Sequence, residues 1–457
     1  TDCRVIVTDA KGAAMLEGLD VGAPGGLLRV DEPGFAERLA PHAGVSAGSL
    51  LAARAPAAED LFLLLFTSGT TGPPKAVRCS QGRLGSIARH AADAYGFTRD
   101  DVAYCTMPLF HGNALMVLWG PSLVVGATVT LARRFSASGF GSDVRRYRAT
   151  TFTYVGKALA YILATPPEDD DAVTTLRRGF GTEASVADRA EFERRFGCVL
   201  TEGYGSSEGG VAINRTPGTP AGSLGLPPDG VAIVDPATSV ECPAAEFDGS
   251  GRLRNGAQAI GEIVNRAGAG SFEGYYGDPA ATASRTRNGW YWTGDLAYRD
   301  ADGFYYFAGR GGDWMRVDSE NLTAGPVERV LVRHREVAAA AVYPVADPRS
   351  GDQVMAALEL LPGRAFDADG FAAFLADQPD LGTKWVPSFL RITGALPQTA
   401  SGKVTKGPLR EEGWWDGADP VLRRLGSTLS FVPLEDDDRG ELKAEFRRHG
   451  REGLVGG

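Results

Sequence analysis

Short apolar runs, each followed by a segment with helical spacing, recur through the first half of the chain. This alternation restricts the fold more than any other feature. Residues 4–9, 61–66 and 151–154 read as strands, whereas 88–95 and 184–196 carry the i, i+3, i+4 spacing of helices. A strand that returns to its own sheet through a helix must pair in parallel, and helices then cover both faces. The expected class is therefore α/β, with a large N-terminal domain of parallel sheets covered by helices. Residues 4–9 are expected to open it as a buried parallel strand.

Between residues 223 and 307 the texture changes to short strands and Gly/Pro/Asp turns, which predicts a β-rich subdomain. Gly309-Arg310-Gly311-Gly312 marks a boundary. Beyond it, a helix at 326–333, strands at 337–343 and 353–360 and a helix at 366–375 predict a small α+β unit. The expected domains are thus 1–310 and 311–457. Residues 435–451 are charge-rich with helical spacing, and fit either a docked helix or a tail.

Composition excludes several functions. At 457 residues the chain can build sizeable cores. A net charge of −10 disfavours nucleic acid or an anionic membrane as the main partner. The five cysteines are scattered and form no Cys-x-x-Cys pair, as expected of reduced thiols in a cytoplasmic protein. The uncharged stretch 112–132 is interrupted by Gly120-Pro121-Ser122. It reads as a short buried helix, a turn and a strand at 127–131 in place of a transmembrane segment.

The apolar run 61–66 leads directly into Thr67-Ser68-Gly69-Thr70-Thr71-Gly72-Pro73-Pro74-Lys75. Glycines let successive N–H groups converge on an anion, hydroxyls add rotatable donors, and Lys75 adds a positive charge. The spacing is not that of a P-loop, because Ala76 follows the lysine. The segment reads as a phosphate-binding loop of another kind.

Further motifs follow in order: Pro108-Leu109-Phe110-His111-Gly112, Tyr204-Gly205-Ser206-Ser207-Glu208, Thr293-Gly294-Asp295, Gly309-Arg310, and a segment from Pro397 to Gly402-Lys403. Together with the loop, they resemble the adenylate-forming superfamily of acyl-CoA synthetases, peptide-synthetase adenylation domains and firefly-type luciferases. The resemblance covers nearly the whole chain and implies a mobile small C-terminal domain. It also implies an ATP-dependent acyl-CoA synthetase, an acid–thiol ligase that uses ATP, Mg²⁺ and coenzyme A as co-substrate.

Residue by residue, the resemblance places Thr67, Ser68, Gly69, Thr70, Thr71, Gly72 and Lys75 around the phosphates. Tyr204 and Gly205 meet adenine, Ser207 (threonine in the family) meets phosphate, and the catalytic Glu208 holds the metal. Asp295 and Arg310 take the ribose, His111 flanks the acyl pocket, and Gly312 occupies the hinge. Lys403 is the catalytic lysine that reaches both the reacting carboxylate and the α-phosphate. A cation between two approaching anions stabilises the transition state electrostatically.

Tyr154-Val155-Gly156-Lys157 and the segment from Asp313 through Arg316 and Glu320 to Leu322 resemble the fatty-acid transport and very-long-chain acyl-CoA synthetase branch. That implies a fatty or other hydrophobic acyl substrate. Three departures stand out. The family has roughly a hundred residues before the strand where this chain begins, which implies an N-terminally incomplete chain. Gly312 replaces the Asp or Lys usual at the hinge, and Asp318-Ser319 stands where glycine is common near the pantetheine path. Two other readings stay open: an acyl-AMP ligase serving a carrier protein, and a non-catalytic acyl or nucleotide binder. A homodimer and peripheral membrane attachment are also left open.

On this reading Lys403→Ala abolishes ATP–pyrophosphate exchange and spares thioester formation from supplied acyl-adenylate. Measuring the two half-reactions separately checks this.

Overall fold

The computed structural model describes residues 3–46, 48–49, 55–67, 74–317, 320–399, 403–426 and 429–455. Ser68, Gly69, Thr70, Thr71 and Gly72 of the loop, and Asp318-Ser319, lie outside the described residues. β1 (Ile6–Thr8) and β2 (Leu27–Arg29) pair in parallel, as expected, but they are not buried. Val7 is 61% exposed because the sheet has only two strands and no described helix covers that face.

β3 (Leu61–Thr67) and β4 (Lys75–Ser80) form an antiparallel hairpin in which Thr67 pairs with Lys75. The two ends of the nine-residue motif, Thr67 and Lys75, therefore stand side by side. Only after β4 does α1 (Gln81–Ala94) begin, with Ser80 as its N-cap accepting from the Arg83 N–H at 3.1 Å.

β5 (Val102–Cys105) starts the main sheet. The apolar stretch after it corrects one expectation, because Gly120-Pro121-Ser122 is not a turn. Asn113–Trp119 winds with π pitch and continues as α2 (Gly120–Val125). Pro121 falls in the first turn, where no N–H is needed, and the wider π turn accommodates its ring. β6 (Thr128–Leu131), α3 (Phe140–Tyr147), β7 (Thr151–Val155), α4 (Gly156–Leu163), β8 (Arg178–Thr182), α5 (Val186–Phe196) and β9 (Val199–Gly205) complete the alternation. The sheet order is β10-β9-β8-β7-β5-β6, parallel except for the edge strand β10 (Ala212–Asn214).

Phe140 packs edge-on against Phe152, Phe192 and Phe196, with ring centroids 5.1–5.7 Å apart. Glycines in β8 make room for this aromatic layer. A Cβ on Gly179 would sit 2.4 Å from the Phe152 ring and 2.7 Å from Leu200, and one on Gly181 would sit 2.5 Å from the Tyr154 ring. The carboxyl ends of β7, β8 and β9 share one edge, where parallel α/β sheets bind ligands.

β11 (Val231–Val234), β12 (Gly261–Asn265), β13 (Tyr291–Arg299) and β14 (Tyr305–Arg310) make the expected antiparallel subdomain, with α6 (Pro279–Arg285) leading into β13. A hairpin of β15 (Trp314–Val317) and β16 (Glu320–Thr323) follows, then α7 (Ala324–Leu331). The last sheet runs β17 (Val337–Ala346), β18 (Asp352–Leu360), β19 (Phe389–Thr393), β20 (Val421–Arg424), β21 (Phe431–Pro433), and only the β18–β19 pair is parallel. α8 (Ala368–Ala376) and α9 (Gly407–Glu412) accompany it. α10 (Asp436–Arg448) is a docked helix, not a loose tail: Phe446 is buried beside Trp414.

Gly179→Ala overpacks the aromatic layer, so it lowers the unfolding free energy by about 1–3 kcal/mol. A urea titration followed by circular dichroism measures the loss.

Candidate active site

The carboxyl edge of the main sheet, the antiparallel subdomain and the small C-terminal sheet enclose one cleft of about 2580 Å³. Each parallel strand delivers a group to it. Lys157 follows β7, Glu183 follows β8, Tyr204 and Gly205 end β9, and Ser206 to Glu208 follow it. Every described residue singled out above lines this cleft: Thr67, Lys75, His111, Tyr204, Gly205, Ser207, Glu208, Asp295, Arg310, Gly312 and Lys403.

Asp295 sits in β13 opposite Arg310 of β14. Its carboxylate accepts from the Tyr204 hydroxyl at 2.8 Å and pairs with Arg310 Nε at 3.3 Å. Burial, reinforced by Asp295, pushes the Tyr204 hydroxyl well above tyrosine's ordinary range, so it remains a donor. The turn before Asp295 needs glycine, since Gly294 has φ +74°. The Gly294 N–H donates to Glu262 at 2.7 Å, and the Asp295 N–H donates to the Thr293 hydroxyl at 3.1 Å. Tyr204 thus engages one oxygen of the carboxylate and Arg310 the other.

Glu208 is 8% exposed and has no cation within 4.0 Å among the described residues. Its carboxylate accepts from the Tyr275 hydroxyl at 3.0 Å. Lys75 Nζ lies 5.4 Å from the Tyr275 ring centroid, and the Arg285 guanidinium interacts with the Tyr275 hydroxyl and Glu208. Two cations and one buried carboxylate thus surround a single tyrosine. From α1, the buried Arg83 donates to the Ser207 carbonyl at 2.5 Å and the Arg78 carbonyl at 2.7 Å, tying the Tyr204–Glu208 segment to β4.

His111 Nδ1 accepts from the Asn113 N–H at 3.2 Å, leaving Nε2 as the protonated nitrogen. Burial, with Lys403's charge adding to it, pushes His111 down to about 4, so the ring is neutral at pH 7. Lys403 Nζ stands 3.6 Å from Glu183 Oε1. Glu183 itself adopts φ +68°, a conformation disfavoured for a residue with a Cβ and frequent at functional sites.

At the junction, Gly311 to Asp313 form a 3₁₀ turn. Asp313 accepts from the Arg310 N–H at 3.0 Å and pairs with Lys406 at 3.0 Å and Arg410 at 2.6 Å. The Gly312 carbonyl accepts from Arg410 at 2.7 Å. Gly312 is thus held by the charges of its neighbours.

A family model described as AMP-binding enzyme matches residues 1–276, and one described as AMP-binding enzyme C-terminal domain matches residues 326–403. The chain belongs to the AMP-binding enzymes. It is 54% identical over 456 residues to the steroid-22-oyl-CoA synthetase of Rhodococcus jostii, covering 99% of this chain and 81% of that one. It is 48% identical over 420 residues to the medium/long-chain-fatty-acid–CoA ligase FadD17 of Mycobacterium marinum, covering 92% and 79%. Among solved structures it resembles MatB from Rhodopseudomonas palustris, at 25% identity over 89% of this chain and 78% of that one. The TM-score is 0.71 for ATP-bound MatB and 0.61 for apo MatB. The fold class is that of adenylate-forming enzymes, with a large N-terminal and a small C-terminal domain.

Sequence reasoning had missed several residues that this AMP-binding enzyme brings to the cleft. Glu183 carried a weak signal, lying at the end of a predicted parallel strand. Arg285 and Tyr275 carried none, since they converge only through the antiparallel subdomain. Among the described residues no helix is long and apolar enough to cross a membrane.

The proximity of His111 to Lys403 yields a measurable outcome. An NMR titration of His111 gives a midpoint near 4, and Lys403→Ala moves it upward, because the mutation removes a neighbouring positive charge.

Proposed function

We propose that this AMP-binding enzyme is an ATP-dependent acyl-CoA synthetase, which activates a carboxylic acid as its adenylate and transfers the acyl group to coenzyme A. The observation that carries this reading is Lys403. It belongs to the small domain yet lies at the large domain's cleft, 3.6 Å from Glu183 and close enough to His111 to depress its protonation. The closer match to ATP-bound than to apo MatB, at equal coverage, supports an arrangement suited to the first half-reaction.

In the first step a substrate carboxylate oxygen attacks the α-phosphorus of ATP. The bond to the β-phosphate oxygen breaks, and pyrophosphate leaves with the electron pair. Asp295 and Arg310 hold the ribose, and the Tyr204 ring offers its face to adenine. Lys75 and Arg285 receive the departing pyrophosphate. Lys403 bridges the carboxylate and the α-phosphate as charge develops. Neutral His111 stands beside the carboxylate without competing as a cation.

A Mg²⁺ ion fits Glu208, a buried carboxylate without an ion-pair partner among the described residues. Mg²⁺ asks for one or two carboxylates plus substrate phosphates, not an all-protein cage. When bound it neutralises phosphate charge. In the second step the small domain turns about Gly312, Lys403 withdraws, and the CoA sulfur attacks the acyl carbonyl with AMP as leaving group.

The acyl substrate is an apolar acid. Leu63, Leu65, Ile87, Met116 and the adjacent Tyr95 and Phe180 rings line the cleft on the side of β3, α1 and the π turn. Of the two acid classes named by the relatives, a steroid side-chain carboxylate is favoured over a medium- or long-chain fatty acid, on 54% against 48% identity.

AMP release with a panel of steroid and fatty acids, each with CoA or a holo-carrier protein, tests the reading. CoA-dependent turnover that is highest with a steroid acid is expected. Turnover with the carrier alone, or with no acid at all, would overturn it. Chelating divalent cations stops pyrophosphate exchange and added Mg²⁺ restores it. Glu208→Gln lowers the exchange rate by roughly 10²-fold.

A further inference from the structure

Glu359 lies in β18 of the small domain and is fully buried. A carboxylate in that position must be compensated, and its partners come from three places. The Lys157 ammonium and the Tyr161 hydroxyl, one turn apart on α4 of the large domain, both donate to it. The Leu396 N–H donates to the same carboxylate at 2.7 Å.

Leu396 is the root of the segment that carries Lys403. From there the chain forms a narrow loop. The Thr405 N–H donates to the Pro397 carbonyl at 2.9 Å, the Thr399 N–H to the Lys403 carbonyl at 2.8 Å, and Gln398 bridges Val404. One carboxylate therefore joins the large domain, an interior strand of the small sheet and the base of the segment that carries Lys403.

We infer that Lys157 and Tyr161, through Glu359, form a polar latch that positions Lys403 for adenylation and must open before the thioester step. The inference rests on the proposed role of Lys403. All three are positioning residues, since none needs to touch substrate. The chemistry suits a reversible contact. A buried ion pair adds little net stability compared with an apolar contact, but its geometry is specific. When the domains part, the ammonium and carboxylate can be rehydrated, whereas a separated apolar patch would stay exposed to water. Burial and Glu359 together push the Tyr161 hydroxyl above its ordinary range, so it remains a donor.

The test compares Lys157→Met, Tyr161→Phe, Glu359→Gln and the exchanged pair Lys157→Glu/Glu359→Lys with the full-length wild type. The first two lie on the surface of α4 that faces the small domain and leave the small domain's own core intact. Three quantities are measured: ATP–pyrophosphate exchange, thioester formation from supplied acyl-adenylate and CoA, and hydrogen–deuterium exchange over residues 156–163 and 396–405. The latch predicts that pyrophosphate exchange falls roughly tenfold or more while the thioester step holds or quickens. Deuterium uptake rises in both segments together, and the exchanged pair recovers part of the loss.

Equal losses in the two half-reactions, or unaltered deuterium uptake in every variant, would sink the latch. A wild type that forms no adenylate would defeat the functional reading instead, and the deuterium exchange would still decide whether the contact couples the two domains.

Discussion

Asp313 gathers the junction between the two domains. It accepts from the Arg310 N–H and pairs with Lys406 and Arg410, while Arg310 reaches forward to Asp295 in the cleft. The chain passes from the last strand of the antiparallel subdomain into the small C-terminal sheet through this knot of charges, so the Asp295–Arg310 pair and the Gly311–Asp313 turn are held by adjacent residues. Where Lys403 arrives depends on how that turn is held.

The cleft follows the same logic at closer range. Tyr204 and Arg310 occupy the Asp295 carboxylate and keep its orientation, so the acceptor is preorganised. Glu208 lacks an ion-pair partner among the described residues, and Lys75 and Arg285 lie around the same tyrosine. His111 is kept neutral by burial and by Lys403. The neutral state of His111 is thus set before any ligand arrives.

Much of this was legible in the residues. The alternating apolar runs predicted the parallel sheet, and the change of texture after residue 223 predicted the antiparallel subdomain, because both patterns arise from local periodicity. The residues lining the cleft were readable where they sit in compact motifs: Tyr204 to Glu208, Thr293 to Asp295, and Lys403. Two readings failed for identifiable reasons. The strand near the N-terminus is parallel but uncovered, since burial depends on what packs above it. Pro121 does not break the helix, because a π turn takes up its ring.

By itself, then, the sequence determined the fold class, the order of the elements and the chemical types available to one nucleotide site. Only the tertiary structure decided which distant groups meet. Glu183 beside Lys403, Arg285 and Tyr275 beside Glu208, and Glu359 against Lys157 and Tyr161 are separated by 67 to 220 positions in the chain. The physical reason is range. Turn chemistry and side-chain periodicity act over a few residues, whereas the juxtaposition of charges across a domain boundary depends on the packing of whole sheets.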